Sequence, residues 1–294
     1  MTYFLALLTS GLLMGGVYGL VAAGVVLIYK STKVLNFAQG ELLMIGAFVT
    51  WAFLAKLGLP FWLSIICMAA AMAALAMVVE RFCLRPLVGQ PMMAMVMVTI
   101  CLSLVIRGLE MVTLGPNRRL LPPVIPTGAF IVGDIHISQQ HLYCFLIALL
   151  AIGVFAYFFQ RTRTGLNMRA VAEDNVSAKS SGISVTRVFA LSWIIAGITA
   201  GVGGILLGSI NGISPELADI GMIGLAVALL GGLESIPGAV LGGIIVGVTT
   251  ALAAGYLDPI VGGGLIQIMP YVIMMLALLI KPYGLFGLVR IERI

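Results

Sequence analysis

Long apolar runs separated by short polar loops constrain this chain more than any other feature. Several runs reach the roughly 20 residues that a helix needs to cross a bilayer. Hydrophobic residues make up 61% of the 294 residues and charged residues only 9%, against about 25% charged in an average soluble domain. A water-soluble fold is therefore excluded. We predict one all-α polytopic membrane domain over residues 1–294, with seven full transmembrane helices at residues 4–29, 37–55, 61–79, 92–112, 141–159, 188–209 and 264–280.

A further apolar stretch, residues 222–254, is interrupted near its middle by glycine, proline and polar residues. Such a sequence is a poor continuous helix. About 33 residues including the break are too few for two complete crossings at 1.5 Å per residue. We therefore predict a broken, re-entrant helix pair at residues 222–254.

Positive charges indicate the topology, because cytoplasmic loops of membrane proteins carry the excess of Lys and Arg. With the N-terminus outside and a re-entrant pair at 222–254, twelve of these cations lie in cytoplasmic segments, three lie outside and one lies within a helix. A single crossing at 222–254 would change the division to nine against six. We thus expect an external loop at residues 113–140, a cytoplasmic loop at 160–187 and a cytoplasmic C-terminus. Within the cytoplasmic loop, residues 167–181 are predicted to be a helix that Gly182 ends.

Motifs for catalysis, nucleotide binding and metal binding are absent from the sequence. No Gly-Lys pair occurs, so the phosphate loop G-x-x-x-x-G-K-[ST] is missing, as is H-E-x-x-H. The four cysteines have no paired spacing, which indicates neither a metal site nor a disulfide framework. The net charge of +5 comes from cations in loops, which fits a contact with the lipid bilayer and not with nucleic acid. We predict no catalytic and no metal-binding residue.

Two groups of polar residues interrupt the apolar segments, where such residues are costly and usually have a function. The first, in the second span, comprises Asn36, Gln39, Gly40 and Glu41. The second, in the broken stretch, comprises Gly232, Glu234, Ser235, Pro237 and Gly238. We predict that both groups flank the translocation path and its gate. The alternative is that these residues cap half-helices or satisfy backbone groups. A third group, Arg107 with Glu110, has the spacing of an internal structural ion pair.

Glycines recur at four-residue spacing in several predicted helices, which favours close helix packing in a membrane. Pairs at this spacing are Gly15 with Gly19, Gly197 with Gly201, and Gly243 with Gly247. A glycine-rich helix followed by a broken, acid-containing segment occurs near the start of the chain and again later. This pattern indicates an inverted repeat, which is common in transporters.

Three motifs resemble one transporter family. Residues 15–24 read GGVYGLVAAG, followed by LNFAQGE at 35–41 and IGAF at 45–48. Residues 169–175 read RAVAEDN, with Ala178, Gly182 and Ile183 after them, and residues 231–239 read GGLESIPGA. In this order they resemble the LivH-type permeases of branched-chain amino-acid ABC importers (the LivHM permease family). Gln39 departs from the pattern, because many members have His there, and a neutral amide puts in doubt any proton-linked role.

The resemblance implies a cytoplasmic coupling helix that docks in a groove of an ATPase. By motif, its docking residues are Arg169, Ala170, Glu173, Asp174, Asn175, Ala178, Gly182 and Ile183. It also implies a complex in the bacterial inner membrane with a LivM-type sister permease, two cytoplasmic ABC ATPases and a periplasmic substrate-binding protein. The partner ATPases would bind ATP and Mg²⁺, and this chain would hold no cofactor. The N-terminus would be periplasmic.

Several functions remain open at this point. The first is transport of Leu, Ile or Val, and related permeases carry urea, short amides or aromatic acids. A stand-alone secondary transporter or channel would instead use Asn36, Gln39, Glu41 and Glu234 as ion ligands, and it would have no role for the cytoplasmic loop. A purely structural membrane subunit would not need two broken polar segments.

Overall fold

The structure, a computed structural model, describes residues 2–87, 89–115, 117–132 and 135–287. The predicted cytoplasmic C-terminus lies outside the described residues. In chain order the helices are α1 (Thr2–Thr32), α2 (Gln39–Trp51), α3 (Phe61–Val79), α4 (Met92–Leu114), α5 (Gln139–Arg161), α6 (Arg163–Glu173), α7 (Asn175–Ser180), α8 (Val185–Asn211), α9 (Glu216–Gly231), α10 (Ile236–Tyr256), α11 (Asp258–Val261) and α12 (Leu265–Ile280). Short π-helical segments extend α2 over Ala52–Lys56 and α3 over Glu80–Leu84.

The chain is an all-α polytopic membrane protein, but the prediction of seven full transmembrane helices is not confirmed. Among the described residues, six helices are long and apolar enough to cross a membrane. The predicted spans at 37–55 and 264–280 correspond to α2 and α12, which have only 13 and 16 residues. The reason at 37–55 is that the chain stays irregular until Gln39 and the regular α-helix already ends at Trp51.

The break predicted within residues 222–254 is present between α9 and α10. Gly232 has a φ of +102°, which favours glycine, and the Ser235 hydroxyl accepts a bond from the Gly238 N–H at 3.0 Å, capping α10. The re-entrant prediction is not confirmed for α10, whose 21 residues are long enough to cross a membrane. The length argument failed because the two helices extend beyond the apolar stretch, from Glu216 to Tyr256.

The segment between α4 and α5 is less irregular than expected for residues 113–140. Strands β1 (Ala129–Val132) and β2 (Ile135–Ser138) form an antiparallel hairpin, with Ala129 opposite Ser138. Arg119 and Ile213 exchange two backbone hydrogen bonds of 2.8 Å, which tie this segment to the connection between α8 and α9.

Helix α1 lies at the centre of the bundle, where it packs on α10, α8, α9 and α5. Its residues are buried almost without interruption from Gly11 to Ile28. A Cβ on Gly15 would lie 2.6 Å from the Gly243 carbonyl oxygen, and a Cβ on Gly247 would lie 2.5 Å from the Gly15 Cα. The predicted role of the glycines in close packing is confirmed at this α1–α10 contact.

The inverted repeat is not confirmed. In the first half the break at residues 33–38 directly follows the glycine-rich helix α1. In the second half α9 lies between the glycine-rich helix α8 and the break at 232–235. The two patterns that looked alike in the sequence therefore have a different order of helices.

Candidate functional site

Helix α2 begins inside the helix bundle, beside α1 and not beyond its end. The amide nitrogen of Gln39, its first residue, would lie 2.8 Å from a Cβ on Gly24. Gly24 precedes the end of α1 by eight residues, or about 12 Å along the helix axis at 1.5 Å per residue. Residues 33–38 therefore run back into the bundle as a segment without regular secondary structure. Such backbone is tolerated only where protein or a cavity covers it.

Side chains satisfy much of the polar backbone in this re-entering segment. Asn36 Oδ1 accepts a bond from the Ala38 N–H at 3.0 Å, and Asn36 Nδ2 donates to Gln39 Oε1 at 3.1 Å. The hydroxyl of Thr99, on α4, donates to the Leu35 carbonyl at 3.1 Å. Asn36 and Gln39 are both buried. Gln39 Nε2 has no hydrogen-bond partner among the described residues.

A network of charged side chains adjoins the first turn of α2. Arg107 Nε donates to Glu41 Oε1 at 3.0 Å, and Arg107 Nη2 donates to Asp219 Oδ1 at 2.5 Å. The predicted internal pair of Arg107 with Glu110 is therefore wrong. The physical reason is the reach of the guanidinium group, which can bridge two carboxylates on two other helices. Both carboxylate oxygens of Glu110 are buried beside the Glu41 carboxyl group.

Gly40 has a packing role in this site. A Cβ on Gly40 would collide with the Ala218 carbonyl oxygen, and a Cβ on Gly221 would lie 2.6 Å from the Gly40 Cα. The backbones of α2 and α9 are thus in direct contact, and Asp219 is held beside Glu41 and Arg107 by this contact.

The second polar group lies at the other end of α9. Lys33 Nζ and Glu234 Oε1 form an ion pair at 2.5 Å, in which both side chains are largely buried. The C-terminal segment covers the break itself, because the N–H groups of Leu285 and Phe286 donate to the carbonyls of Leu230 and Gly231 at 2.8 and 3.1 Å. These two carbonyl groups at the end of α9 are therefore bound by protein.

Ser235, Pro237 and Gly238 have structural positions in the break. Ser235 caps α10. Pro237 lies in the first turn of that helix, where a backbone N–H would have no partner within the helix. A Cβ on Gly238 would collide with the Gly231 carbonyl oxygen. Glu234 is the charged residue of this group, and it lines a neighbouring cavity.

The predicted coupling helix at residues 167–181 is two helices, α6 and α7, which meet at Asp174. Asp174 has an extended backbone and accepts bonds from the Ser177 hydroxyl at 2.5 Å and the Val176 N–H at 2.8 Å. These two hydrogen bonds lower the pKa of the Asp174 carboxyl. Gly182 ends α7 as predicted, with a φ of +81°.

The predicted docking residues are not all accessible. Glu173, Asp174 and Gly182 are exposed, whereas Ala178 is buried. The side chain of Asn175 lies outside the described ones. Two apolar residues that the sequence did not single out, Leu166 and Val176, are exposed on the same segment.

The structure brings the coupling segment and the break together. A cavity of about 400 Å³ is lined by Lys30, Lys33, Arg169, Glu173 and Glu234, with Ala170 also in its wall. Arg169 and Lys30 both lie over the ring of Phe159, at 6.0 and 5.0 Å from its centre. Two residue sets that were predicted separately, one for coupling and one for the gate, thus share one charged cavity.

Comparison with known proteins assigns the chain to a family. The family described as "branched-chain amino acid transport system / permease component" matches residues 7–280. The chain belongs to this family. It is therefore the permease component of a transport system and a multi-pass inner-membrane protein.

The curated relatives of the permease match it over almost its whole length. The high-affinity branched-chain amino acid transport system permease protein LivH of Salmonella typhimurium is 31% identical, over 99% of this chain and 98% of its own. BraD of Pseudomonas aeruginosa, with the same description, is also 31% identical over the same shares. The PsaBC structure from Streptococcus pneumoniae covers 97% of this chain with 14% identity and a TM-score of 0.48.

Sequence reasoning missed Asp219 as a member of the permease's charged network. Asp219 is 112 residues from Arg107, its partner, so no local spacing could pair them. The available signal was a pair of carboxylates, Glu216 and Asp219, in the first turn of an otherwise apolar helix, which by itself is typical of residues that complement the helix dipole.

Proposed function

We propose that the permease is the membrane-spanning subunit of an ABC importer that moves branched-chain amino acids (Leu, Ile or Val) into the cell, driven by separate ATPases. The observation that carries the proposal is the cavity shared by Arg169 and Glu173 of α6 with Lys33 and Glu234 at the break. It offers a physical contact between a cytoplasmic docking segment and a gate. The substrate is proposed from the relatives LivH and BraD, whose names state branched-chain amino acid transport.

The proposed partners follow from the exposed features of the cytoplasmic segment. Leu166 and Val176 are exposed on this segment together with Glu173 and Asp174, and large exposed apolar residues among charged ones suit a protein groove better than water. On this proposal two ABC ATPases dock on the cytoplasmic side and bind ATP and Mg²⁺, while the permease holds no cofactor. A periplasmic substrate-binding protein delivers the amino acid to the opposite side, where the N-terminus lies.

We assign the translocation path to the face that carries Arg107 and Asp219. Their side chains are 42% and 63% exposed, although α4 and α9 place them at membrane depth. Charged groups at this depth nearly always face protein or a water-filled cavity. A LivM-type sister permease that covers this face would therefore complete the path, with Asn36, Gln39 and Glu41 behind its wall.

Closure of the path on the cytoplasmic side is assigned to the Lys33–Glu234 pair. The pair joins the end of α1 to the break before α10, so it resists separation of these two elements. An ATPase-driven shift of α6 would act on it through Arg169, which lines the same cavity.

The test is purification of the tagged permease from its own membrane, followed by reconstitution of the complex in liposomes. ATP-dependent uptake of leucine together with co-purified ATPases supports the proposal. Glu173→Ala combined with Asn175→Ala is expected to separate ATP hydrolysis from uptake, as is Gly182→Pro, whereas Ser181→Ala on the same exposed segment serves as the matched control. Leucine uptake by the chain alone, driven by an ion gradient without ATP, would refute the proposal in favour of a secondary transporter.

A further inference from the structure

A cavity of about 410 Å³ lies in the half of the bundle opposite the Lys33–Glu234 pair. Three of its polar lining residues mark its depth: His141 in the first turn of α5, Asn211 at the end of α8 and Thr250 six residues before the end of α10. These ends belong to the side of the N-terminus, because the Tyr3 hydroxyl donates to the Gly255 carbonyl at 3.1 Å. The cavity is therefore on the proposed external side, and none of the predicted path or gate residues lines it.

Unpartnered polar atoms from three helices converge on this cavity. His141 Nδ1, Asn211 Nδ2 and Thr250 Oγ1 are each buried and have no hydrogen-bond partner within the described ranges. Thr250 as a whole is only 4% exposed. A buried polar atom without a partner destabilises the fold, so three at one cavity need a common explanation.

Apart from these three residues, Ser10 and Tyr18, the cavity wall is apolar. Leu7, Met14, Ile210, Ile220 and Ala251 contribute most of it. An apolar wall with a few convergent polar groups, in a volume between about 300 and 1,000 Å³, is the usual form of a small-molecule site. A lipid tail would match the apolar wall but would leave the three polar atoms without partners.

We propose that this external cavity binds a small amino acid with a branched apolar side chain before translocation. The proposal rests on the proposed function and adds an entry site within this one subunit. Asn211 Nδ2 donates to the carboxylate of this amino acid. The Thr250 hydroxyl oxygen and His141 Nδ1 accept hydrogen bonds from its ammonium group. The branched side chain lies against Met14, Ile210 and Ile220. Both charged groups of the ligand thereby receive partners, and so do the orphaned side chains.

The position of the cavity relative to the proposed path fits an entry site. Ile220 lines the cavity, while its neighbour Asp219 binds Arg107 on another face of α9. The first turns of α9 therefore form the wall between the cavity and the charged network. Gly11 and Gly247, which also line the cavity, belong to the α1–α10 contact.

Adjacent threonines on α10 allow a matched test. Thr250→Val keeps the shape and removes the unpartnered hydroxyl. Thr249→Val removes a hydroxyl that bonds its own helix at the Ile245 carbonyl, 2.5 Å away, and that does not line the cavity. Binding of radiolabelled leucine is measured on the whole complex in nanodiscs, without nucleotide or binding protein. We expect about tenfold weaker binding for Thr250→Val, as for loss of one hydrogen bond to a charged group, and unchanged binding for Thr249→Val.

Two further measurements make the test independent of the Thr250 substitution. Leucinol, which lacks the carboxylate, should compete for the wild-type site at least about tenfold less well than leucine, and Ala251→Phe should abolish binding by filling the cavity. Equal binding by both threonine variants in a complex that still imports leucine would overturn the cavity assignment alone. Loss of a co-purified lipid in Ala251→Phe with leucine binding intact would overturn it in favour of a lipid site. A complex that imports no leucine at all would refute the proposed function instead.

Discussion

Arg107 should stabilise the permease mainly through Glu41 and only weakly through Asp219, although it bonds both. The Glu41 side chain is 6% exposed, whereas that of Asp219 is 63% exposed. Removing one partner of a buried ion pair costs about 3–5 kcal/mol, but Arg107 is itself 42% exposed, which screens part of the interaction. We therefore expect Arg107→Met to lower the free energy of unfolding by about 2 kcal/mol, and Asp219→Asn to lower it by less than about 1 kcal/mol.

A double-mutant cycle separates the two contributions. Combining Arg107→Met with Glu41→Gln removes the orphaned carboxylate, so about 1–2 kcal/mol of the loss should be recovered. The same cycle with Asp219→Asn should show coupling near zero. Equilibrium unfolding of the purified permease in mixed detergent and dodecyl sulfate micelles measures all variants. A coupling of Arg107 to Asp219 that equals or exceeds its coupling to Glu41 would refute the argument from burial.

Three further outcomes are expected. Gly243→Ala should lower the free energy of unfolding by about 1–3 kcal/mol through overpacking of α1 against α10. Gly153→Ala, in an open position of α5, should raise the free energy of unfolding by up to about 1 kcal/mol. Equal effects of the two substitutions would contradict the packing assignment. Glu234→Gln, and equally Lys33→Gln, should speed leucine leakage from preloaded liposomes, and unchanged leakage would remove the gate role. The folded-state pKa of Asp174 is lowered, so its capping of α7 is present above the ordinary pKa of 3.8 and is lost as the pH falls through the lower folded value. The protection of α7 amides, measured against the intrinsic exchange rate at each pH, should therefore fall in acid, and Asp174→Asn should abolish this pH dependence.

Apolar length and glycine position allowed the general architecture to be predicted from the sequence. The membrane class, the break near Gly232 and the end of α7 at Gly182 all depend on local chain properties, and they agree with the structure. The start of α2 could not be predicted in this way. Residues 33–38 are irregular but lie inside the bundle, so counting apolar residues gave a span at 37–55 where the helix has only 13 residues.

The contacts that build the candidate sites are long-range, and this is why the sequence did not predict them. Arg107 and Glu41 are 66 residues apart, and Lys33 and Glu234 are 201 residues apart. Helical spacing paired Arg107 with Glu110 because only neighbours in sequence can be compared without a fold. The external cavity was missed for the same reason, since its polar atoms come from three helix ends.

The glycine seam between α1 and α10 connects the proposed gate to the external cavity. Lys33 follows the inner end of α1 and Glu234 precedes α10, so any change in their ion pair changes the force between these two helices. Along the seam the backbones touch at Gly15 and Gly243, with no side chains between them that could absorb a small displacement. A tilt that begins at the cytoplasmic end is therefore passed on to Gly11 and Gly247, which line the cavity. Cross-linking α1 to α10 through cysteines at Gly19 and Val240, where a Cβ on Gly19 would lie 3.3 Å from the Val240 Cα, should then block uptake while leaving leucine binding to the cavity intact, and uptake at the normal rate would show that the two helices move as one body.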